Sequence, residues 1–314
     1  MVIQDNERNA YDQRSLEWEL VESYGYFTLF VCLKMVKISF ISRHAIRLIR
    51  RTFSELSTCA SLSLDKTLLI DTKFHISIVY FRAGYTPDDY PTQSAWDTRL
   101  LLERSKAIKC PSVALQLAGA KKVQQVLASE EGLLEHYMDT EAAARLRATF
   151  MSMWPMDDSD LGKRGLDLAQ TQSQRFVLKP QREGGGNNIY QSDIPPFLTA
   201  MHERDKSKPE GEPKEREGYI LMELIQPPKN AVNVLVRAGT GTEIRTKVIS
   251  ELGIYGVALY RRDAKAKKAS MEVNLLAGHL LRTKGSDSHE GGVVVGASGL
   301  DSVLLVDLKE LSEK

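Results

Sequence analysis

The chain has 314 residues, 42% apolar and 26% charged, the make-up of an ordinary folded protein with room for two cores, for which disorder is not the default. With 42 Lys and Arg against 41 Asp and Glu, the formal net charge is +1, so no charge excess points to nucleic acid or an anionic membrane as partner. Cys32, Cys59 and Cys110 are odd in number, far apart and outside any C-x-x-C pair, which argues against a disulfide framework or a zinc site and for a reducing cytoplasm.

The opening MVIQDNERNAYDQRSLEWEL is polar and acidic where an export signal would be basic and then apolar, and the chain is expected to begin inside a domain. Leu16 to Glu22 reads as the end of a helix. Residues 26 to 42 are the most apolar run, but Lys34 and Lys37 lie within it. Each lysine near a bilayer centre costs about 2.5 to 3.5 kcal/mol, and the run is at the short limit for spanning, so a membrane span is rejected. A buried strand pair, a buried helix, or a segment foreign to the fold remain as readings. Ile46 to Phe53 reads as a strand entering a turn and Phe74 to Phe81 as one buried strand. Trp96 to Lys109 is amphipathic, with Leu100, Leu101, Leu102 and Ile108 on its apolar side, and Val113 to Leu127 continues as a helix interrupted near Gly119. The alternation predicts an α/β domain.

Beyond the acidic stretch Met156 to Asp160 and a polar run to Gln174, Phe176, Val177 and Leu178 make a buried strand that Pro180 is expected to end. Lys179 then stands at the strand's edge with its ammonium available to an oxyanion. Glu183 offers a hard oxygen ligand for Mg²⁺, and Gly184 to Gly186 have no Cβ to hold backbone N–H groups away from phosphates. A glycine triplet alone is usually a flexible linker, but the strand, lysine and acid before this one favour a nucleotide phosphate site. A helix near Ile194 to Glu203 and a charged loop from Asp205 to Gly218 follow. Tyr219 to Leu224, Glu243 to Leu252 and Gly256 to Arg261 read as strands of an antiparallel sheet under a nucleotide, and residues 303 to 314 as a short amphipathic helix. There are no internal repeats, and the lack of HRD, DFG and GxxxxGK[ST] excludes a protein kinase or P-loop NTPase.

Ten segments, in order, carry a resemblance: ERNAYDQR (7–14), IRRTF (49–53), VYFRAGY (79–85), LLLERSKAIKCP (100–111), QLAGAKKVQQ (116–125), ARLRATF (144–150), KPQREGGGNN (179–188), YILMELI (219–225), ISELGIYG (249–256) and GHLLRTK (278–284). Together they resemble the eukaryotic glutathione synthetases of the ATP-grasp superfamily, over nearly the whole chain apart from residues 25–45 and the last dozen. The resemblance implies an α/β fold in two parts: a smaller α/β substrate-binding domain over residues 1–120, and an ATP-grasp-like antiparallel sheet with a glycine-rich loop over residues 121–314. It implies ATP-dependent joining of γ-glutamylcysteine to glycine through an acyl phosphate on the cysteinyl carboxylate, with Mg²⁺, in a cytoplasmic homodimer that meets neither nucleic acid nor membrane.

Carried onto matching positions, Lys121 and Lys179 resemble the lysines that meet ATP phosphates, and Glu183 the magnesium ligand. Lys179 and Arg282 are the implied catalytic pair. Pro180, Gln181 and Arg182, with Gly184, Gly185, Gly186, Asn187, Asn188 and Tyr190, resemble the loop that closes on ATP. Met222, Glu223, Leu224 and Ile225 match the segment beside adenine, and Glu251, Lys284 and Glu290 further nucleotide contacts. On the substrate side the matches are Glu7, Arg8, Asn9 and Gln13, then Arg82, Ala83, Gly84 and Tyr85, whose arginine can clamp a carboxylate bidentately. Arg282 matches the arginine near the carboxylate being activated, and Val293 and Val294 a loop that closes on substrate. Taken singly, Glu251 and Lys284 read as surface charge on strands and Arg282 as an exposed ion-pair partner. His279 and His289 lack ligand spacing and read as packing or surface histidines.

Departures from the family pattern are also expected. The long segment that precedes the ERN motif in the family is expected to be missing, leaving the ATP-grasp part incomplete at its N-terminus with Glu183 as its one magnesium carboxylate. Residues 25–45 stand where the family has a short turn and read as an insertion. Ala83 replaces a usual acid, and GGVVVG at 291–296 replaces a loop with alanines.

Overall fold

The computed structural model describes residues 1–5, 7, 10–24, 46–129, 132–182, 186–209, 211–227, 231–236, 241–263, 268–287 and 298–303. They fall into two compact units, Met1–Leu127 and Ala128–Lys314. Among the described residues no helix is long and apolar enough to cross a membrane.

The first unit holds, in order, α1 (Tyr11–Tyr24), α2 (Phe53–Cys59), β1 (Ala60–Leu62), β2 (Leu68–Ile70), β3 (Phe74–Ile76), β4 (Ile78–Tyr80), α3 (Gln93–Arg104), β5 (Ile108–Cys110), α4 (Val113–Ala118) and α5 (Lys121–Ser129). β1, β2 and β3 form an antiparallel meander, while β4 pairs in parallel with β5, Ile78 opposite Ile108 and Tyr80 opposite Cys110. Val2 makes parallel bridges to both Arg51 and Phe81, so three chain segments run in the same direction side by side. Val2, Phe53, Leu56, Leu68, Ile70, Val79, Phe81 and Leu102 are buried together as the core.

Three expectations for this unit need correction. Ile46 to Phe53 is not a strand: only Arg51 pairs, and Phe53 opens α2. Thr52 and Glu55 form a capping box, the Thr52 hydroxyl accepting from the Glu55 N–H and the Glu55 carboxylate from the Thr52 N–H, which satisfies amides that a strand would have spent on a ladder. Phe74 to Phe81 is two strands in different sheets, separated at Ser77, and Ile78 is 53% exposed. The helix expected to reach Lys109 stops at Arg104, and Ile108 belongs to β5. Its buried positions are Ala95, Thr98, Arg99 and Leu102, a helical i, i+3, i+4, i+7 stripe from which Leu100 points away, 47% exposed. The interruption at Gly119 is present, as the cap between α4 and α5.

The second unit contains α6 (Thr140–Arg147), β6 (Met153–Pro155), α7 (Asp160–Thr171), β7 (Phe176–Pro180), β8 (Ile189–Tyr190), α8 (Ile194–Asp205), β9 (Tyr219–Glu223), β10 (Val232–Val236), β11 (Glu243–Asp263), β12 (Lys268–Gly285) and β13 (Gly299–Asp301). Two four-stranded antiparallel sheets result, ordered β6-β9-β7-β8 and β10-β11-β12-β13. Met156, Ala169, Phe176, Leu178, Ile194, Leu198, Met201 and Leu221 form a core between the first sheet and its helices.

The polar run before Gln174 is in fact α7, capped by the Ser159 hydroxyl, which accepts from the Gly162 N–H at 3.0 Å. Its buried face is small, Gly162, Gly165 and Ala169, which is why an apolar count missed it. The strands expected at 243–252 and 256–261 are one strand of 21 residues, β11. Gly253 and Gly256, which look like breaks in the sequence, are carried within it, with register shifts against β12 at Tyr255/Gly256 and Leu259/Tyr260. Residues 25–45 and the helix expected over 303–314 lie outside the described residues, Val303 excepted.

Candidate functional site

Phe176, Val177 and Leu178 are buried, as their composition requires, and β7 is an interior strand bonded to β9 on one side and β8 on the other. Lys179 is opposite Ile220 and Pro180 opposite Tyr219, so the proline is the last residue of the strand and Lys179 stands next to its end, as expected. The ladder to β8 has already ended at Leu178, opposite Ile189, so a residue without an N–H is tolerated at Pro180. Beyond it the Gln181 N–H donates to the Gly218 carbonyl at 2.9 Å. Glu183, Gly184 and Gly185 lie outside the described residues. Gly186 has a φ of +83°, a left-handed conformation that costs an L side chain strain, and the Asn188 amide donates to the Tyr190 hydroxyl at 3.2 Å.

The segment matched to the adenine side begins in β9. Met222 stands between Met153 and Val177. The Glu223 N–H donates to the Ser152 carbonyl at 3.0 Å and the Leu224 N–H to the Arg175 carbonyl at 2.8 Å. Arg175 also pairs with the Glu223 carboxylate at 2.6 Å, so these two amides and this carboxylate are engaged within the protein. Ile225 follows, 65% exposed.

On β11 and β12 the register sets Glu251 opposite Arg282, Ser250 opposite Thr283 and Ile249 opposite Lys284. Because side chains alternate across a strand, Glu251, Arg282 and Lys284 share one face while Ser250 and Thr283 occupy the other. Glu251 receives Arg282 at 2.8 Å and Lys284 at 3.4 Å, so two cations stand beside one carboxylate on this face. On the opposite face Thr283, buried, donates to the Asp301 carboxylate at 2.7 Å, and the Ser250 and Thr283 hydroxyls lie 2.9 Å apart, so Ser250 is the donor to Thr283. Asn233 adds a bond to Asp301 at 3.0 Å. The Thr283 hydroxyl, first, with the Ser302 N–H, holds the Asp301 carboxyl below its usual range.

In the first unit, Arg82 pairs with Asp12 at 2.6 Å, and Ala83 and Gly84 are buried behind it. Gly84 has a φ of +90°, and a Cβ there would stand 2.5 Å from the Tyr90 hydroxyl. Burial raises the Tyr85 phenol above its ordinary value, so it remains a protonated donor at neutral pH. Gln13 is buried and accepts from Arg50 Nε at 3.0 Å. Glu7 is half-buried, and Lys121 is the first residue of α5. An open cleft of about 570 Å³, lined among others by Ile3, Asp5, Thr52, Ala83, Asp89 and Thr92, lies where the three parallel segments end, the usual ligand position in an α/β sheet. Sequence reasoning did not single out Asp12, Arg50, Asp89, Arg175 or Asp301, and only the position of Asp89 within a T-x-x-D turn signal marked any of them. Arg8, Asn9, Glu290, Val293 and Val294 lie outside the described residues. Among the described residues no group of three His, Cys, Asp or Glu is placed to hold a metal ion.

The family model for the ATP-binding domain of eukaryotic glutathione synthase matches residues 6–305. The chain belongs to the eukaryotic glutathione synthase family. It is 41% identical to the human glutathione synthetase over 304 residues, 96% of this chain and 56% of that one. Against the chloroplastic glutathione synthetase of Solanum lycopersicum it is 40% identical over 97% of this chain and 48% of that one, and against the glutathione synthetase large chain of Schizosaccharomyces pombe 37% identical over 97% and 54%. The chain therefore spans about half the length of the curated relatives it matches. A solved glutathione synthetase-like effector from Globodera pallida, in its apo form, shares the fold, with a TM-score of 0.54 at 23% identity over 82% of this chain and 48% of that one. The mixed α/β architecture with antiparallel sheets is that of an ATP-grasp-like glutathione synthase.

Proposed function

We propose that this chain takes part in the ATP-dependent ligation of γ-glutamylcysteine to glycine. Positioning and electrostatic stabilisation carry most of a phosphoryl transfer, so the reading asks for cations and backbone donors rather than a nucleophilic side chain. Lys121 and Lys179 meet the phosphates of ATP, and the loop through Gly186 to Tyr190 closes over them. Arg282 lies against the carboxylate that is phosphorylated, and Glu251 and Lys284 contact the nucleotide. Arg82 clamps a substrate carboxylate, and the glycine amine then displaces phosphate from the acyl phosphate. Glu183 is the carboxylate that would hold Mg²⁺ together with the nucleotide phosphates. The reading places the protein in a reducing cytoplasm as a homodimer.

The observation that carries this reading is the cluster of Glu251, Arg282 and Lys284 on one face of a single ladder, where two cations share one carboxylate. Phosphate release is the test. The expected result is release that requires ATP, γ-glutamylcysteine and glycine together; release that ignores both acceptors, or none at all, would contradict ligation.

A second reading is a nucleotide-binding, non-catalytic partner of an intact synthetase. Apolar surface on the long ladder favours it, where Leu252, Ile254, Val257, Leu275 and Leu276 are exposed. Co-purification with a full-length synthetase subunit supports this reading, and its failure removes it.

A further inference from the structure

The loop that carries Arg82 and Tyr85 is gripped by residues with no role so far. One oxygen of Asp89 accepts three successive backbone N–H groups, from Gly84 at 3.1 Å, Tyr85 at 2.7 Å and Thr86 at 3.3 Å. Three consecutive amides converging on one point form a concavity that would otherwise capture an anion from solution, and here the protein's own carboxylate fills it. The carbonyls are held from the other side. Gln116 donates its amide to the Gly84 carbonyl at 2.7 Å and to that of Tyr85 at 3.3 Å, and the Tyr90 hydroxyl donates to Gly84 at 3.2 Å. Tyr90 is fixed in turn by Arg99, which donates to its hydroxyl at 3.1 Å and pairs with Glu103 at 2.9 Å. Hydrogen bonds to an ionised acceptor are the strong ones, and side chains that recognise a ligand do so most effectively when their backbone is already set.

We propose that Asp89 is a positioning residue for the dipeptide substrate: it fills the amide nest of residues 84 to 86 and so sets the backbone from which Arg82 and Tyr85 reach a carboxylate-bearing ligand. This rests on the reading that residues 82 to 85 bind γ-glutamylcysteine. With the loop's donors and acceptors spent internally, recognition falls to the Arg82 and Tyr85 side chains, and Asp89 acts through them without touching the ligand. Gln116 supports the same conformation from the carbonyl side.

The test is calorimetric titration of the full chain with γ-glutamylcysteine, alongside ATP titration and thermal melting as controls. Asp89→Ala is expected to weaken dipeptide binding at least tenfold while leaving ATP binding unchanged. Asp89→Asn, which keeps an acceptor oxygen, is expected to bind the dipeptide within about threefold of the parent. Should Asp89→Ala fail to fold, Gln116→Ala carries the test, with a loss in the same direction and ATP binding again intact. An Asp89→Ala chain, or in its place a Gln116→Ala chain, that binds the dipeptide as tightly as the parent or loses ATP and dipeptide together overturns the proposal, as does an Asp89→Asn chain that binds as weakly as Asp89→Ala. A parent chain that binds no dipeptide overturns the substrate reading of the loop itself, and the role of Asp89 falls with it.

Discussion

Glu251 and Arg282 face each other across the β11–β12 ladder, with the guanidinium 2.8 Å from the carboxylate, and Lys284 reaches the second carboxylate oxygen at 3.4 Å. Both members of the first pair are partly exposed, and a pair of that kind contributes at most about 1 kcal/mol to folding. The proposed function gives Arg282 a role at the substrate rather than in stability.

Arg282→Ala is therefore expected to separate activity from folding. Phosphate release should fall by about two orders of magnitude, in line with removal of one electrostatic contact to developing charge, while the melting temperature moves by only a few degrees. A large drop in melting temperature with activity per folded molecule preserved would make the arginine structural.

Gly84→Ala meets two penalties at once. The φ of +90° disfavours any L side chain, and the new Cβ would approach the Tyr90 hydroxyl to 2.5 Å, where Tyr90 is held by Arg99. A loss of about 2 kcal/mol or more in urea denaturation is expected.

Helix α7 offers a contrast of sign. Alanine is a better helix former than glycine by about 1 kcal/mol, yet a Cβ on Gly165 would lie 2.8 Å from Trp154 Cβ and 2.9 Å from the Pro155 carbonyl oxygen, neither of which is the end of a flexible side chain. Overpacking costs about 1 to 3 kcal/mol, so Gly165→Ala should lower the denaturation midpoint. At Gly119 the nearest atom to a new Cβ is 3.5 Å away, and Gly119→Ala should be neutral or stabilising.

Asp301 sets an acid limit on the β10–β13 sheet. Its carboxyl is depressed by the bond from Thr283, so the stability it contributes is present above its ordinary value of about 3.9 and is lost as pH falls through the lower folded value. Asp301→Asn should cost about 1 kcal/mol near neutrality, and the difference from the parent chain should shrink as both are titrated into acid. Melting curves from neutral pH down to about 3 measure this directly.

KPQREGGGNN and the ordered motifs stand out in the sequence as the proposed nucleotide and substrate segments, because phosphate and carboxylate recognition needs particular residue types at particular spacings. Arg282, Glu251 and Lys284 read singly as surface charge, and only the strand register brings them together. Helix α7 was hidden because its buried face is glycine and alanine, and α2 because its capping residues Thr52 and Glu55 closely follow the β-branched and apolar residues Ile46, Leu48 and Ile49. β11 looked like two strands because Gly253 and Gly256 resemble breaks, whereas a long antiparallel partner carries Gly253 in regular register and Gly256 beside a register shift. Gln116 acts on the Gly84 and Tyr85 carbonyls and Arg175 on the Glu223 carboxylate, contacts distant in sequence that leave no pattern in a single chain, whereas Asp89 acts on the amides just before it.

The most direct measurement of the central claim, that residues around Lys179 grip a polyphosphate, is calorimetric titration of the chain with ATP in the presence of Mg²⁺, repeated with Lys179→Ala. Saturable binding that weakens at least tenfold in the variant, with an unchanged melting temperature, is the expected result. No binding by the parent chain, or equal binding by both, would contradict it.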